Sequence, residues 1–345
     1  MFNQSLMRRL APAAILAIST LGPVAAQAAD LELKLALADS GVNPTTDSIL
    51  RLADTLGIYE KHGLKVTIIA LDGTPQAVAA LNSGAVDIAD ISIDAALRLK
   101  ADNGVAIRGI IAATMGAPYL IAAKADIATV ADLKGKSYAI ADNGSLDHTL
   151  TQVVLNTLGV GGDAPSYVAI GAPPARVQAL AAGKVDATTV SYGTFLPIAN
   201  TPGIHVIVSP EDFAKMAPEQ TKFIAALEPT IAAKHDALQA FADAIIDASR
   251  QFDTNPAPWI EAMGKARDDL TADNLTATAK FLTGRWCVNG CMSTEKVGRT
   301  VDFLYSTKDF AEVKKLAVAD IIDQSFATKS IATSGAYAGA SIDTP

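Results

Sequence analysis

The run Leu31-Glu32-Leu33-Lys34-Leu35-Ala36-Leu37 alternates apolar and mostly charged side chains, and a period of two predicts a strand with one buried face. The spacing then changes. Ile49, Leu52, Ala53 and Leu56 fall on one helical face and predict a helix over 46–59. A second strand is expected over 66–71. Thr74-Pro75 supplies a cap followed by proline at the first helical position, which predicts a helix running to about residue 83. A third strand over 86–91 leads to Ser92, which can cap a helix over about 94–101. Strand and helix alternating at such short intervals predict an α/β fold with a parallel sheet flanked by helices on both faces.

The pattern then repeats. Ala80-Leu81-Asn82-Ser83-Gly84-Ala85-Val86-Asp87 returns as Ala179-Leu180-Ala181-Ala182-Gly183-Lys184-Val185-Asp186, and Ser92 has its counterpart in Ser191. In both copies a helix ends at a glycine, which can adopt the left-handed cap, and a strand follows at once. Two similar α/β units are therefore expected. The second starts near Tyr119-Leu120-Ile121, with strands over 137–141, 166–170, 187–190 and 205–208.

After Ser209-Pro210 the pattern becomes mostly helical, as over 236–252, where Leu238, Phe241, Ile245 and Ile246 share a stripe. This tail is expected to complete the first unit. The lobes predicted are then 29–116 with 211–345, and 117–210. The chain crosses between them near 114–118 and near 209–210, and paired crossovers make a hinge.

Composition fits a large buried core. Half of the 345 residues are hydrophobic and 19% are charged, which excludes a disordered chain. Lys and Arg total 28 against 36 Asp and Glu, a net charge of -8, the wrong sign for a phosphate-backbone binder. No nucleic-acid partner is expected. Arg8 and Arg9, an apolar run over 10–21 and the small-residue end Val24-Ala25-Ala26-Gln27-Ala28 have the layout of a secretory signal cleaved after Ala28. No cysteine at that point offers a lipid attachment site, and no later run is long enough to span a bilayer, so an exported protein without a direct membrane anchor is expected. In an oxidising compartment Cys287 and Cys291, enclosing Asn289-Gly290, are expected to form a local disulfide. A redox or metal pair is the alternative, but His62, His148, His205 and His235 lack zinc-like spacing to it.

Four segments carry a family resemblance: Leu56-Gly57-Ile58-Tyr59-Glu60-Lys61-His62-Gly63-Leu64-Lys65-Val66, the stretch 76–87, Ala131-Asp132-Leu133-Lys134-Gly135-Lys136, and 179–187. In order and spacing they resemble the periplasmic substrate-binding proteins of nitrate/sulfonate/taurine-type ABC transporters, a family that includes thiamine-pyrimidine binders. The resemblance implies a type II periplasmic-binding-protein-like fold whose two lobes close on a small molecule and deliver it to an inner-membrane ABC permease.

In open α/β sheets the binding crevice lies outside the carboxyl ends of the strands, where loops lead into helix N-termini with unpaired N–H groups. Here those loops are 40–45, 73–74, 92–94, 142–148 and 191–195, all rich in Ser, Thr, Asn or Gly. Candidate ligand contacts are Ser40, Gly41, Asn43, Ser92, Asp94, Thr114, Asn143, Gly144, Ser145, His148, Ser191, Tyr192 and Phe195. Each serine also reads as a simple helix cap. Relatives often carry an aromatic residue followed by an acid and proline near Tyr192, whereas this chain has Ser191-Tyr192-Gly193-Thr194-Phe195.

Charge bears on the solute. No Arg or Lys lies in these loops, although Arg51 and Arg176 lie close by, and Asp39, Asp94 and Asp142 oppose an anion unless they cap helices. The expected solute is a small organic anion, a sulfonate or an aromatic or aliphatic carboxylate, held by neutral donors and helix dipoles. A neutral heterocycle is the alternative. The nucleophile-elbow, zinc-protease, phosphate-loop and dinucleotide signatures are absent, so a binder rather than an enzyme is expected, with no cofactor. A fold-related enzyme and a sensor partner are the competing readings. The chain is expected to act as a monomer.

Overall fold

The computed structural model describes residues 31–116 and 118–344. The secretory signal expected over 1–28 lies outside the described residues. Ten strands are found among those described: β1 (Leu31–Leu37), β2 (Leu64–Ala70), β3 (Ile88–Ser92), β4 (Ile107–Ile111), β5 (Tyr119–Lys124), β6 (Ser137–Ile140), β7 (Ser166–Ala169), β8 (Ala187–Ser191), β9 (Ile204–Val208) and β10 (Lys222–Leu227). They form two sheets of the same topology, ordered β2-β1-β3-β10-β4 and β7-β6-β8-β5-β9. In each sheet one strand runs against the rest: β10 is antiparallel to β3 and β4, and β5 is antiparallel to β8 and β9. The sheets are thus parallel-rich rather than wholly parallel. Each reversed strand is the one that enters its sheet after the chain crosses from the other.

Period-two alternation sorts the side chains of each sheet onto two cores. Leu33, Leu35 and Leu37 of β1 face a cluster with Phe241 and Trp259 from the C-terminal helices, while Ala36 joins Leu81, Leu97 and Phe223 on the other face. In the second sheet Ile121 and Tyr138 pack on one face, and Leu120 and Ala139 on the other. The helical tail is bound to the start of the chain: Trp259 Nε1 donates to Ser48 Oγ at 3.0 Å, and Ser48 donates on to the Pro44 carbonyl at 2.8 Å. No helix among the described residues is long and apolar enough to cross a membrane.

Three local expectations need correction. The helix expected over 46–59 is two helices, Ser48–Thr55 and Ile58–Lys61, because Gly57 takes a left-handed φ of 68° between them. Gly73, not Thr74, occupies the cap position of the helix Thr74–Asn82. The tail after residue 210 also contains β10, whose Lys-Phe-Ile-Ala-Ala-Leu sequence is buried on both faces and therefore shows no alternation.

The sequence repeat is one structural device used twice. Gly84 and Gly183 end their helices at φ 74° and 69°. Beyond them Asp87 donates its N–H to the Lys34 carbonyl and accepts the Lys34 N–H on Oδ2, at 2.9 and 2.8 Å. Asp186 does the same with Ser137, at 2.9 Å for both bonds. Each aspartate thus pins the chain to a neighbouring parallel strand.

Cys287 and Cys291 are joined, and both are buried. Their loop rests on the first crossing segment, since the Ala112 N–H donates to the Gly290 carbonyl at 3.1 Å and the Met115 N–H to the Arg285 carbonyl at 2.9 Å. From the other side Asp343 Oδ2 accepts the N–H groups of Asn289 and Cys291, at 2.6 and 3.2 Å.

Two outcomes follow. In urea unfolding, the Cys287→Ser, Cys291→Ser double variant should be about 2 kcal/mol less stable, the chain entropy released by so small a loop; an unchanged midpoint contradicts this. The hydrogen bond from Lys124 lowers the Asp186 carboxyl from 3.8 to about 2, so its stabilising contribution is complete above pH 3.8 and is lost as pH falls toward 2. Asp186→Asn should therefore flatten the acid limb of stability against pH, and an unaltered limb counts against the clamp.

Candidate functional site

The carboxyl ends of the parallel strands in both sheets open onto one cavity of about 470 Å³. On the wall of the first sheet, β1 leads to Asp39 and Asn43, β2 to Gly73 and Thr74, and β3 to Ser92, Asp94 and Arg98, while Lys222 opens β10. On the opposite wall β6 leads into the turn 141–147, β7 to Gly171, Pro173 and Arg176, and β8 to Ser191 and Thr194. The helices Thr74–Asn82, Ile93–Asn103, Leu146–Thr157 and Pro173–Ala181 all begin here. The first three present backbone N–H groups toward it, whereas Pro173–Ala181 opens with two prolines and its Ala175 N–H donates to the Ala172 carbonyl at 3.0 Å.

Seven of the expected contacts line this cavity: Asn43, Ser92, Asp94, Asn143, Gly144, Ser145 and Ser191. The other six lie elsewhere. Ser40 and Gly41 are exposed on the loop after β1, and Thr114 borders a smaller cavity beside the crossing segment. His148 is buried behind its own turn: Nδ1 accepts the Gly144 N–H at 2.9 Å, and its ring meets Tyr167 edge-on. Tyr192 leans on Phe281, and Phe195 is buried in an apolar cluster beneath the second sheet.

Two of the expected loops grip each other across the cavity. Asn43 Nδ2 donates to Ser191 Oγ at 3.0 Å and to Thr194 Oγ1 at 2.9 Å, and the Gly193 N–H donates to Thr45 Oγ1 at 3.2 Å. Only glycine fits at 193, because a Cβ there would lie 2.7 Å from Asn43 Oδ1 and 2.9 Å from Pro44 Cδ. The serine at the carboxyl end of β8 is a cap as well, since Ser191 Oγ accepts the Thr194 N–H.

The cations of the cavity wall are all engaged within the chain. Lys222 pairs with Asp90, and against the cost of burial this carboxylate holds its ammonium above the usual lysine range. Arg176 lies 3.5 Å from Asp147 Oδ2 and donates to the Gly171 carbonyl at 2.8 Å. Arg98 donates to the Asp309 carbonyl at 2.8 Å and lies over the Phe310 ring. Arg51 does not line the cavity; it bonds Asp47 at 3.1 Å and the Asp39 carbonyl at 2.6 Å. Asp147 is also satisfied, by the Ala141 N–H and the Ser145 hydroxyl. Lys222 escaped sequence reasoning because β10 did, whereas Arg176 was within reach as the first-turn residue after Pro173-Pro174. No group of three or more residues suited to hold a metal ion occurs among the described residues.

Gly193→Ala should force the two walls apart at the Asn43 contact and destabilise the protein by about 1–3 kcal/mol, as overpacking does. Small-angle scattering should show a larger radius of gyration, and a profile identical to the parent's contradicts the clasp.

Comparison with known proteins agrees with this architecture. A protein of Brucella abortus (strain 2308), provisionally named as a binding protein, is 28% identical over 220 residues, covering 63% of this chain and 67% of that one. The alkanesulfonate-binding protein SsuA of Xanthomonas axonopodis pv. citri, solved bound to MOPS, superposes with a TM-score of 0.70 at 20% identity, covering 85% of this chain and 98% of that one. The periplasmic nitrate-binding protein NrtA of Synechocystis PCC 6803 gives 0.69 at 14% identity, covering 90% and 92%. These two likenesses show the fold. The family model described as NMT1/THI5 like matches residues 43–257, and the chain belongs to that family.

Proposed function

We propose that this chain is the solute-binding component of an ABC importer, exported to the periplasm, which captures a small organic anion and hands it unaltered to an inner-membrane permease. The observation that carries this reading is the cavity itself, built between two topologically equivalent sheets from the carboxyl-end loops of both. Its volume, about 470 Å³, suits a small solute. Three helix N-termini around it, those of Thr74–Asn82, Ile93–Asn103 and Leu146–Thr157, supply donors for an anionic group without a dedicated cation. The solved neighbours are an alkanesulfonate-binding and a nitrate-binding protein, which supports the same class of solute.

The lobes of this reading are 29–116 with 211–345, and 117–210, and they move about the two crossing segments. The first of these segments is bonded to the chain that leads into β10, where the Gly116 N–H donates to the Glu219 carbonyl at 2.7 Å. A ligand favours closure only through contacts that exist when both walls meet. Asn143, Gly144 and Ser145 on one wall and Gly73 and Thr74 on the other are the proposed neutral contacts. The reading assigns no catalytic residue.

Thermal unfolding against alkanesulfonates, aliphatic and aromatic carboxylates and nitrate tests the reading. A solute at a hundred times its dissociation constant should stabilise the protein by about 2.7 kcal/mol. Conversion of an added compound, or no stabilisation by any class, contradicts it.

A further inference from the structure

Nine buried side-chain polar atoms lack a hydrogen-bond partner among the described residues, and two of them belong to residues lining the cavity. They are Asp94 Oδ1 on one wall and Arg176 Nε on the other. Asp94 is 5% exposed, lies in the cavity wall and forms no ion pair among the described residues; the Ser92 hydroxyl, the first-turn N–H groups and the Arg98 charge favour its carboxylate, yet Oδ1 is left without a bond. Position in the first turn of the helix Ile93–Asn103 accounts for an acid there through the helix dipole. The dipole does not account for an oxygen shut away from water with no donor, an arrangement that costs stability unless something else supplies the missing bond.

The wider charge pattern points the same way. The cations of the wall are engaged within the chain, as described above, whereas Asp39, Asp72 and Asp142 line the cavity without an ion pair among the described residues. Resting on the solute-binding reading, we infer that Asp94 is a specificity determinant, selecting solutes that present a protonated nitrogen to its carboxylate while their acceptor end meets the helix N-termini and Arg176. Burial raises the Asp94 carboxyl above the ordinary aspartate range, and a cationic nitrogen beside it would draw it back toward the ionised form.

Calorimetry with isosteric pairs tests this. Suitable pairs are γ-aminobutyrate against valerate, aminopropanesulfonate against butanesulfonate, and para-(aminomethyl)benzoate against para-ethylbenzoate. In the parent protein the nitrogen-bearing member of the pair that binds should bind at least about tenfold tighter, the value of one hydrogen bond to a charged group. In Asp94→Asn that preference should vanish, while the unliganded variant melts at the parent's temperature or above it, because a buried carboxylate with one unsatisfied oxygen has been replaced by a neutral amide. Equal binding of both members by the parent overturns the inference and leaves the solute-binding reading standing. A preference that survives in Asp94→Asn, or a variant that melts well below the parent, also overturns it. If no member of any pair binds the parent, the inference is overturned, and the solute-binding reading fails with it only if thermal unfolding also shows no stabilisation by any class.

Discussion

The first sheet cannot be completed by the chain segment that begins it, whereas the second is built from one continuous stretch. Strands β1 to β4 leave a place between β3 and β4 that only β10 fills, and β6 to β9 hold the corresponding place for β5. Because β5 follows the first crossing and β10 follows the second, the chain must pass between the sheets twice, and both passages end at the mouth of the cavity. Tyr119 and Lys222, the first residues of the two reversed strands, pair with Ser191 and Ser92 at the ends of β8 and β3. The same pairing therefore fixes the two crossings, aims the strand ends at one another and positions the helix N-termini around the cavity.

On that frame the two walls do different chemical work. Asn43, Thr45, Ser191 and Thr194 satisfy one another across the cavity, so their polarity is spent on holding the walls together. The turn 141–147 is held from behind by His148, whose Nδ1 accepts the Gly144 N–H, and by Asp147, which accepts the Ala141 N–H. Of the residues lining the cavity, Asp94 and Arg176 carry the buried polar atoms left unbonded among the described residues. A binding site is expected to contain such locally unfavourable groups, since a protein tolerates them where a ligand completes them.

Much of this was legible in the sequence because it rests on short-range patterns. The alternation of β1 and the repeated helix-glycine-strand unit needed no tertiary information. Their aspartates, Asp87 and Asp186, proved to make the same pair of backbone bonds. What was hidden depends on partners distant in the chain. Strand β10 is buried on both faces and carries no period, so the cation Lys222 was missed with it. Asn43 and Ser191 were both selected as strand-end residues, but nothing local shows that they bond across 148 positions. Tyr192 and Phe195 follow the same strand end, yet their rings turn into apolar packing. Strand-end logic finds the loops of a site; the direction of each side chain is settled by what the other sheet places opposite.

The central claim is that the cavity holds a small molecule which both walls contact and neither changes. Native mass spectrometry of the exported protein, purified without added solute and then denatured, addresses it most directly. The account predicts one small molecule per chain, released unmodified and recaptured when returned to the emptied protein. A chain that releases nothing and gains no mass from any small-molecule class, or that returns the compound chemically converted, contradicts it.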